Sequence, residues 1–139
     1  MSYLLDTNVV SETERKHPDS HVLKWLDRVD SGNVYLSALT IGEIKKGFSK
    51  LVSGKRKAHI QNWLEDVRKH FGGRILPLTE QTFLVWGKMI AEFEQKGIIR
   101  PALDSLLEAT ALEHDLILVT RNVRNFRHSQ ATIFNPWED

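Results

Sequence analysis

Three acidic residues of this chain occupy positions from which they would meet at one edge of an α/β sheet. Asp6 ends the opening apolar run, Glu43 lies in a helical pattern after a second apolar run, and Asp104 begins a helical pattern that precedes a third. Ligands of open α/β sheets bind beyond the carboxyl ends of the strands, so a parallel sheet would bring these carboxylates together. Two carboxylates about 5 Å apart repel by roughly 3 kcal/mol at an effective dielectric constant of 20. The pattern therefore predicts a divalent metal site, whose all-oxygen donors suit Mg²⁺, with Mn²⁺ as a substitute.

Each acid also has a structural interpretation when it is considered alone. Asp6 would cap a helix that starts near Val9, and the negative charge of Asp104 would favour the amino terminus of its helix. Glu43 would belong to a capping box whose N-cap residue is Thr40. The combination of all three acids at one predicted sheet edge favours the metal site over three separate capping roles.

Other catalytic chemistries lack their residue patterns in this sequence. The chain has no cysteine, and its six histidines show no HExxH motif or other paired ligand spacing. Neither the G-x-S-x-G elbow of serine hydrolases nor a glycine-rich phosphate loop is present. A receiver-like domain would need a phosphoacceptor Asp at the end of a central strand, and neither Leu36-Ser37 nor Leu76-Pro77 supplies one.

Short apolar runs alternate with helical patterns along the chain. After the opening run, strands are predicted at Val34–Leu36, Arg74–Leu78, Leu116–Val119 and Ala131–Phe134. Gly97 ends one helical pattern and Pro101 opens the next, which gives the order β-α-α-β-α-α-β-α-α-β-β. Strands separated by helices require crossover connections. We therefore predict an α/β fold, a three-layer α/β/α sandwich with a central, mainly parallel sheet, formed by one domain over residues 1–139.

The bulk composition is typical of a soluble domain, with 41% hydrophobic and 27% charged residues. The sequence shows no signal peptide and no apolar window of about 18 residues, so we expect no membrane contact and a cytoplasmic location. The net charge is only +1, yet six bases and no acid lie between Lys45 and Lys57, and arginines recur at positions 121, 124 and 127. Such clusters are compatible with phosphate contacts, or with a solvated helix face.

Several segments in this order resemble the PIN-domain family, and more narrowly the VapC/FitB-type toxins of bacterial toxin–antitoxin modules. The segments are Leu5-Asp6-Thr7-Asn8, Ser37–Glu43, Pro101–Leu107, Ala109-Thr110-Ala111, Val119–Asn122 and the ending Asn135-Pro136-Trp137. The resemblance implies a Mg²⁺-dependent endoribonuclease that a cognate antitoxin inhibits. It further implies a homodimer, a larger toxin–antitoxin hetero-oligomer, and contact with operator DNA through the antitoxin alone.

The resemblance also assigns roles to individual residues. Asp6, Glu43 and Asp104 match the acidic positions of the family and are expected to be catalytic, as ligands of the metal ion. Glu43 would also orient or deprotonate the attacking water. The hydroxyl and amide side chains near these acids would hold the carboxylates or the scissile phosphate, and nearby bases would follow the RNA backbone. The supporting residues are Thr7, Asn8 and Thr120, together with Asn122, whose side-chain oxygen could coordinate the ion or orient a water. The RNA-binding bases are Lys45, Lys46, Arg121 and Arg124.

Two positions depart from the family pattern. The fourth acid of that pattern would fall at position 122, where this chain has Asn122, and the next polar position of the motif is Asn125. Glu108 stands where a small residue is usual, one helical turn after Asp104. We hypothesise that Glu108 replaces part of the missing charge as a supporting residue; the alternative is a solvent-facing or arginine-paired Glu. The neutral Asn122 also leaves open a catalytically degenerate PIN domain that only binds an antitoxin or acts as a corepressor.

Overall fold

The computed structural model describes residues 1–138, which form five short strands and six α-helices. The strands are β1 (Tyr3–Leu5), β2 (Val34–Ser37), β3 (Ile75–Leu76), β4 (Ile117–Val119) and β5 (Ile133–Phe134). The helices are α1 (Thr7–Glu12), α2 (Ser20–Arg28), α3 (Ala38–Ser49), α4 (Lys55–His70), α5 (Glu80–Gln95) and α6 (Ala102–Glu113). This order is the one that the sequence predicts, and the expected α/β class is confirmed.

The strands form a single sheet in the order β3-β2-β1-β4-β5, and every neighbouring pair is parallel. From the central strand β1, the chain builds one half of the sheet through β2 and β3 and the other half through β4 and β5. The strand order therefore reverses between β1 and β4, which is where ligands bind in open α/β sheets. Asp6 follows β1 and Thr120 follows β4, so both residues lie at this reversal.

Helices cover both faces of the sheet because successive strand residues point to opposite faces. Leu5 packs into a core cluster with Val9 of α1 and Phe48 of α3. Leu4 packs into a second cluster with Leu107 of α6 and Phe126. The predicted three-layer arrangement is thus confirmed. Among residues 1–138, no helix combines the length and the apolarity that crossing a bilayer requires.

The start of α3 differs from the sequence-based expectation. The N-cap of this helix is Ser37, whose hydroxyl accepts a hydrogen bond from the backbone N–H of Leu39 at 3.0 Å. The predicted capping box of Thr40 and Glu43 is therefore wrong, because β2 continues to Ser37 and turns into the helix without a loop. Thr40 is instead a buried residue inside α3. The earlier helix start leaves the side chain of Glu43 free to reach the sheet edge.

Candidate active site

Asp6 lies buried at the carboxyl end of β1 with its carboxylate fixed by three donors. Only 7% of the residue is exposed. Its Oδ1 accepts a hydrogen bond from the backbone N–H of Thr7 at 2.7 Å, which makes Asp6 the N-cap of α1. Its Oδ2 accepts hydrogen bonds from the hydroxyl of Thr120 at 2.8 Å and from the side-chain amide of Asn8 at 3.2 Å. Asp6 therefore combines the capping role with a position in the acidic site.

The pKa of Asp6 shows that the three predicted acids share one electrostatic environment. Burial raises this pKa above its ordinary value of 3.8, and the hydrogen bonds from Thr120 and Thr7 oppose that rise. The negative charges of Asp104 and Glu43 raise the pKa further. A cation placed among these carboxylates would favour the ionised form of Asp6 and so offset the effects of burial and of the neighbouring negative charges.

Thr7 connects Asp6 to Glu43. Its backbone N–H donates to Asp6, while its hydroxyl donates to Oε1 of Glu43 at 2.8 Å. The same hydroxyl lies 3.4 Å from the hydroxyl of Thr40 inside α3. Glu43 is thus held through Oε1, and Oε2 makes no hydrogen bond to residues 1–138. This free oxygen is available to a water molecule or a cation.

Asp104 occupies the first turn of α6 and contacts Asn125. The side-chain amide of Asn125 donates to Oδ2 of Asp104 at 3.3 Å. Asn122 uses its backbone N–H to bind the hydroxyl of Thr120 at 3.0 Å, and its side chain has no hydrogen bond within residues 1–138. The neutral residue in direct contact with an acid is therefore Asn125. A one-turn 3₁₀ helix over Val123–Phe126 places it there.

Comparison with known proteins identifies the family. Residues 3–130 match the PIN domain. The chain belongs to the PIN-domain family. Toxin FitB of Neisseria gonorrhoeae is 37% identical to this PIN domain over 137 residues, which cover 98% of this chain and 99% of the relative. VapC ribonuclease Y4jK of Sinorhizobium fredii is 35% identical, over 97% of each chain.

A solved structure agrees with this assignment. The chain superposes on the matching chain of the FitAB structure bound to an IR36 DNA fragment with a TM-score of 0.91 and 35% sequence identity. The match covers 97% of this chain and 95% of that chain. The resemblance to PIN domains of the VapC/FitB type is thus confirmed in both sequence and fold.

Glu108 of this PIN domain forms a buried ion pair. Its Oε1 lies 2.7 Å from Nη2 of Arg100, and the two side chains are 0% and 4% exposed. The contact lacks the geometry of a hydrogen bond, and the guanidinium nitrogens have no hydrogen-bond partner in the described residues. The rings of Phe93 and Phe126 lie 4.8 and 5.7 Å from the guanidinium carbon. This placement favours the arginine-paired interpretation of Glu108 over a role that adds charge to the metal site.

The predicted RNA-binding bases of the PIN domain fall into two groups. The ammonium of Lys45 lies 4.6 Å from the ring centre of Phe48, and the guanidinium of Arg121 lies 5.2 Å from that of Trp137. Lys46 instead lines a cavity of about 400 Å³ together with Glu43. Arg124 lines a second cavity, of about 310 Å³, together with Asn125. Lys46 therefore shares a cavity with Glu43, and Arg124 shares one with the residue that contacts Asp104.

The donor set of the PIN domain fits a hard divalent cation that retains part of its water. In residues 1–138, no three His, Asp or Glu side chains stand close enough to hold one ion together. Asp6, Glu43 and Asp104 nevertheless offer only oxygen donors, and the charges of Glu43 and Asp104 both act on Asp6. Mg²⁺ commonly binds proteins through one or two carboxylates and keeps several waters. The arrangement fits Mg²⁺ bound in this way.

Proposed function

We propose that this PIN domain is the toxin of a toxin–antitoxin pair and that it hydrolyses RNA phosphodiester bonds with Mg²⁺. The observation that carries the proposal is that Thr7 connects Glu43 to the buried Asp6 at the strand-order reversal, while the charge of Asp104 adds to the rise in the pKa of Asp6. A relative named as a toxin and another named as a ribonuclease, each matched along nearly its whole length, support the same activity.

Each carboxylate has a distinct task in the proposed reaction. Asp6 and Asp104 would be the principal ligands of Mg²⁺, and Glu43 would act on the ion through a bound water molecule. When bound, the ion lowers the pKa of water and polarises the phosphoryl oxygen. Asp6 is held by Thr120 and Asn8, and Asp104 by Asn125, so both acids are oriented before RNA binds.

The free oxygen of Glu43 makes this residue the group that orients the attacking water and accepts its proton. Thr7 fixes the other oxygen of Glu43, so the carboxylate cannot rotate without losing that hydrogen bond. Attack by water on phosphorus expels the 3′ oxygen of the preceding nucleotide. The expected products therefore carry 5′-phosphate and 3′-hydroxyl ends.

The proposed partner is an antitoxin that covers an apolar cavity of this domain. This cavity of about 320 Å³ is lined by side chains of α1, α2 and α4, including Val10, Leu26 and Trp63. An amphipathic antitoxin helix suits such a groove. Contact with operator DNA is proposed only through the antitoxin, because the FitAB relative is a DNA-bound assembly. A homodimer of this chain within that assembly is part of the proposal and can be measured by light scattering.

The test is cleavage of a labelled total-tRNA and mRNA pool by protein freed of antitoxin, with Mg²⁺ or Mn²⁺. The Asp104→Asn variant, purified identically, exposes any contaminating nuclease. We expect cleavage by the wild type alone, abolished by a chelator. Equal cleavage by both proteins would contradict the assigned site. Antitoxin binding without cleavage of any RNA would instead indicate the degenerate, binding-only PIN domain.

A further inference from the structure

A basic cavity lies next to the acidic site, to which Asn125 connects it through a hydrogen bond to Asp104. We define it by the residues of two segments, the loop after α5 and the segment that includes the 3₁₀ helix over Val123–Phe126. Its volume is about 310 Å³, the size of a small ligand pocket. The lining residues are Ile98, Ile99, Arg100, Pro101, Arg124, Asn125, Arg127 and His128.

All the ionisable residues that line the basic cavity are bases, and no acid is among them. Arg100 is balanced by Glu108. The side chains of Arg124 and Arg127 are exposed and make no ion pair or hydrogen bond to residues 1–138. The lining of the cavity therefore includes two arginines that no acid compensates. Guanidinium groups bind phosphate oxygens through paired N–H donors, so a phosphate is the ligand that suits this cavity.

Asn125 joins the basic cavity to the acidic site. It lines the cavity and at the same time donates a hydrogen bond to Asp104. Arg124 and Arg127 flank Asn125 in sequence, one residue before it and two after it. Asn125 therefore stands between Asp104 and these arginines. An RNA strand with its scissile phosphate at Asp104 would place a neighbouring phosphate on the far side of Asn125.

We propose that the basic cavity binds a backbone phosphate of the RNA next to the scissile one and so fixes the direction of the strand across the acids. This proposal rests on the function proposed above. It assigns Arg127 to the RNA track in addition to Arg124. The acids and the basic cavity thereby act on two different phosphates of one strand.

The experiment measures binding separately from cleavage. Full-length protein is titrated with a short fluorescent single-stranded RNA in EDTA, which keeps the strand intact, and anisotropy is followed as a function of salt. The test variant is Arg124→Gln/Arg127→Gln. The control variant is Arg68→Gln/Lys69→Gln, which removes the same charge from the exposed face of α4. Each lost phosphate contact lowers the slope of log K against log salt by about 0.7 for single strands.

We expect the slope of log K against log salt to fall by at least about 0.7 in the test variant, which corresponds to one lost phosphate contact. The control variant should keep the wild-type slope. RNAs with a single neutral methylphosphonate then locate the phosphate. One position should weaken binding to the wild type and leave the test variant unaffected. A strand cut in EDTA would count against the metal-dependent function and not against the cavity, so the two failures are distinguishable.

Three outcomes would overturn the proposal. The first is an equal loss of slope in both variants, because it would mean that only net charge matters. The second is a methylphosphonate effect that persists in the test variant. The third is unchanged RNA binding together with weakened antitoxin binding, since the cavity would then receive an acidic segment of the antitoxin.

Discussion

Replacement of either member of the Arg100–Glu108 pair should destabilise the fold more than replacement of both. The two charges are 2.7 Å apart and almost wholly buried. Phe93 and Phe126 lie against the guanidinium, so removal of Glu108 would leave this charge beside aromatic rings and without a carboxylate. The informative variants are Arg100→Met, Glu108→Leu and the double variant, because these apolar side chains have similar volumes.

The magnitude follows from the burial of the pair. At this separation the attraction is about 6 kcal/mol at an effective dielectric constant of 20, and most of it offsets the loss of hydration of both groups. A single replacement leaves one unpaired buried charge, which costs about 3–5 kcal/mol. Since domains have a total free energy of unfolding of about 5–15 kcal/mol, each single variant should be marginal. The double variant leaves no buried charge and should lie close to the wild type.

Urea denaturation followed by tryptophan fluorescence measures these free energies of unfolding. The single variants should also melt roughly 10–20 °C below the wild type. A double variant whose loss equals the sum of the two single losses would refute the reasoning, because it would show that the charges do not interact.

A Glu108→Gln variant tests whether Glu108 also contributes to metal binding. Unchanged Mg²⁺ affinity in this variant is expected from the pairing with Arg100, and a large loss of affinity would restore Glu108 to the metal site.

Three further predictions concern the acids and one turn. Because burial raises the pKa of Asp6, the folded state binds its proton more tightly than the unfolded state, so the wild type should lose stability as pH rises above 3.8 through the raised pKa. In EDTA, the Asp6→Asn variant should not show this loss of stability with pH. If the difference in free energy of unfolding between the two proteins, measured by urea titration, stays constant with pH, the prediction is wrong. Asn125→Asp places a fourth carboxylate against Asp104. This variant should have a lower melting temperature than the wild type without metal, and Mg²⁺ should raise its melting temperature by more. If Mg²⁺ raises both melting temperatures equally in thermal-shift assays, no ion binds at Asp104. Gly97 follows the end of α5 with a φ of +73°, and the space where the methyl group of an alanine would lie is open. Gly97→Ala should therefore lower the free energy of unfolding by about 1–2 kcal/mol through backbone strain alone. An unchanged free energy of unfolding in urea denaturation would exclude this backbone conformation in solution.

The order of the elements was predictable because local signals mark it. Apolar runs give the strands, and Gly97 and Pro101 separate α5 from α6. The error at Thr40 has an equally local cause. The strand here turns directly into a helix, and two hydroxyl residues three positions apart could cap that helix. Periodicity alone cannot choose between Ser37 and Thr40.

The acids were predictable at the candidate site, but their contacts were not. Asp6, Glu43 and Asp104 follow from residue type and from position relative to the strands. The contact of Asn125 with Asp104 depends on a one-turn 3₁₀ helix, which leaves no periodic pattern in the sequence. The pairing of Arg100 with Glu108 depends on how the loop after α5 folds back onto α6, which is a tertiary property.

The hydrogen bond from Thr120 to Asp6 has a consequence for the synthesis of the protein. Its two partners are separated by 114 residues, and they come from adjacent strands at the centre of the sheet. A chain emerging from the ribosome therefore cannot close this contact until β4 is free to pair with β1. Nascent chains that end before Thr120 therefore lack the complete acidic site, so the cell that makes this proposed toxin is exposed to its activity only after synthesis has passed that residue and β4 has left the ribosome.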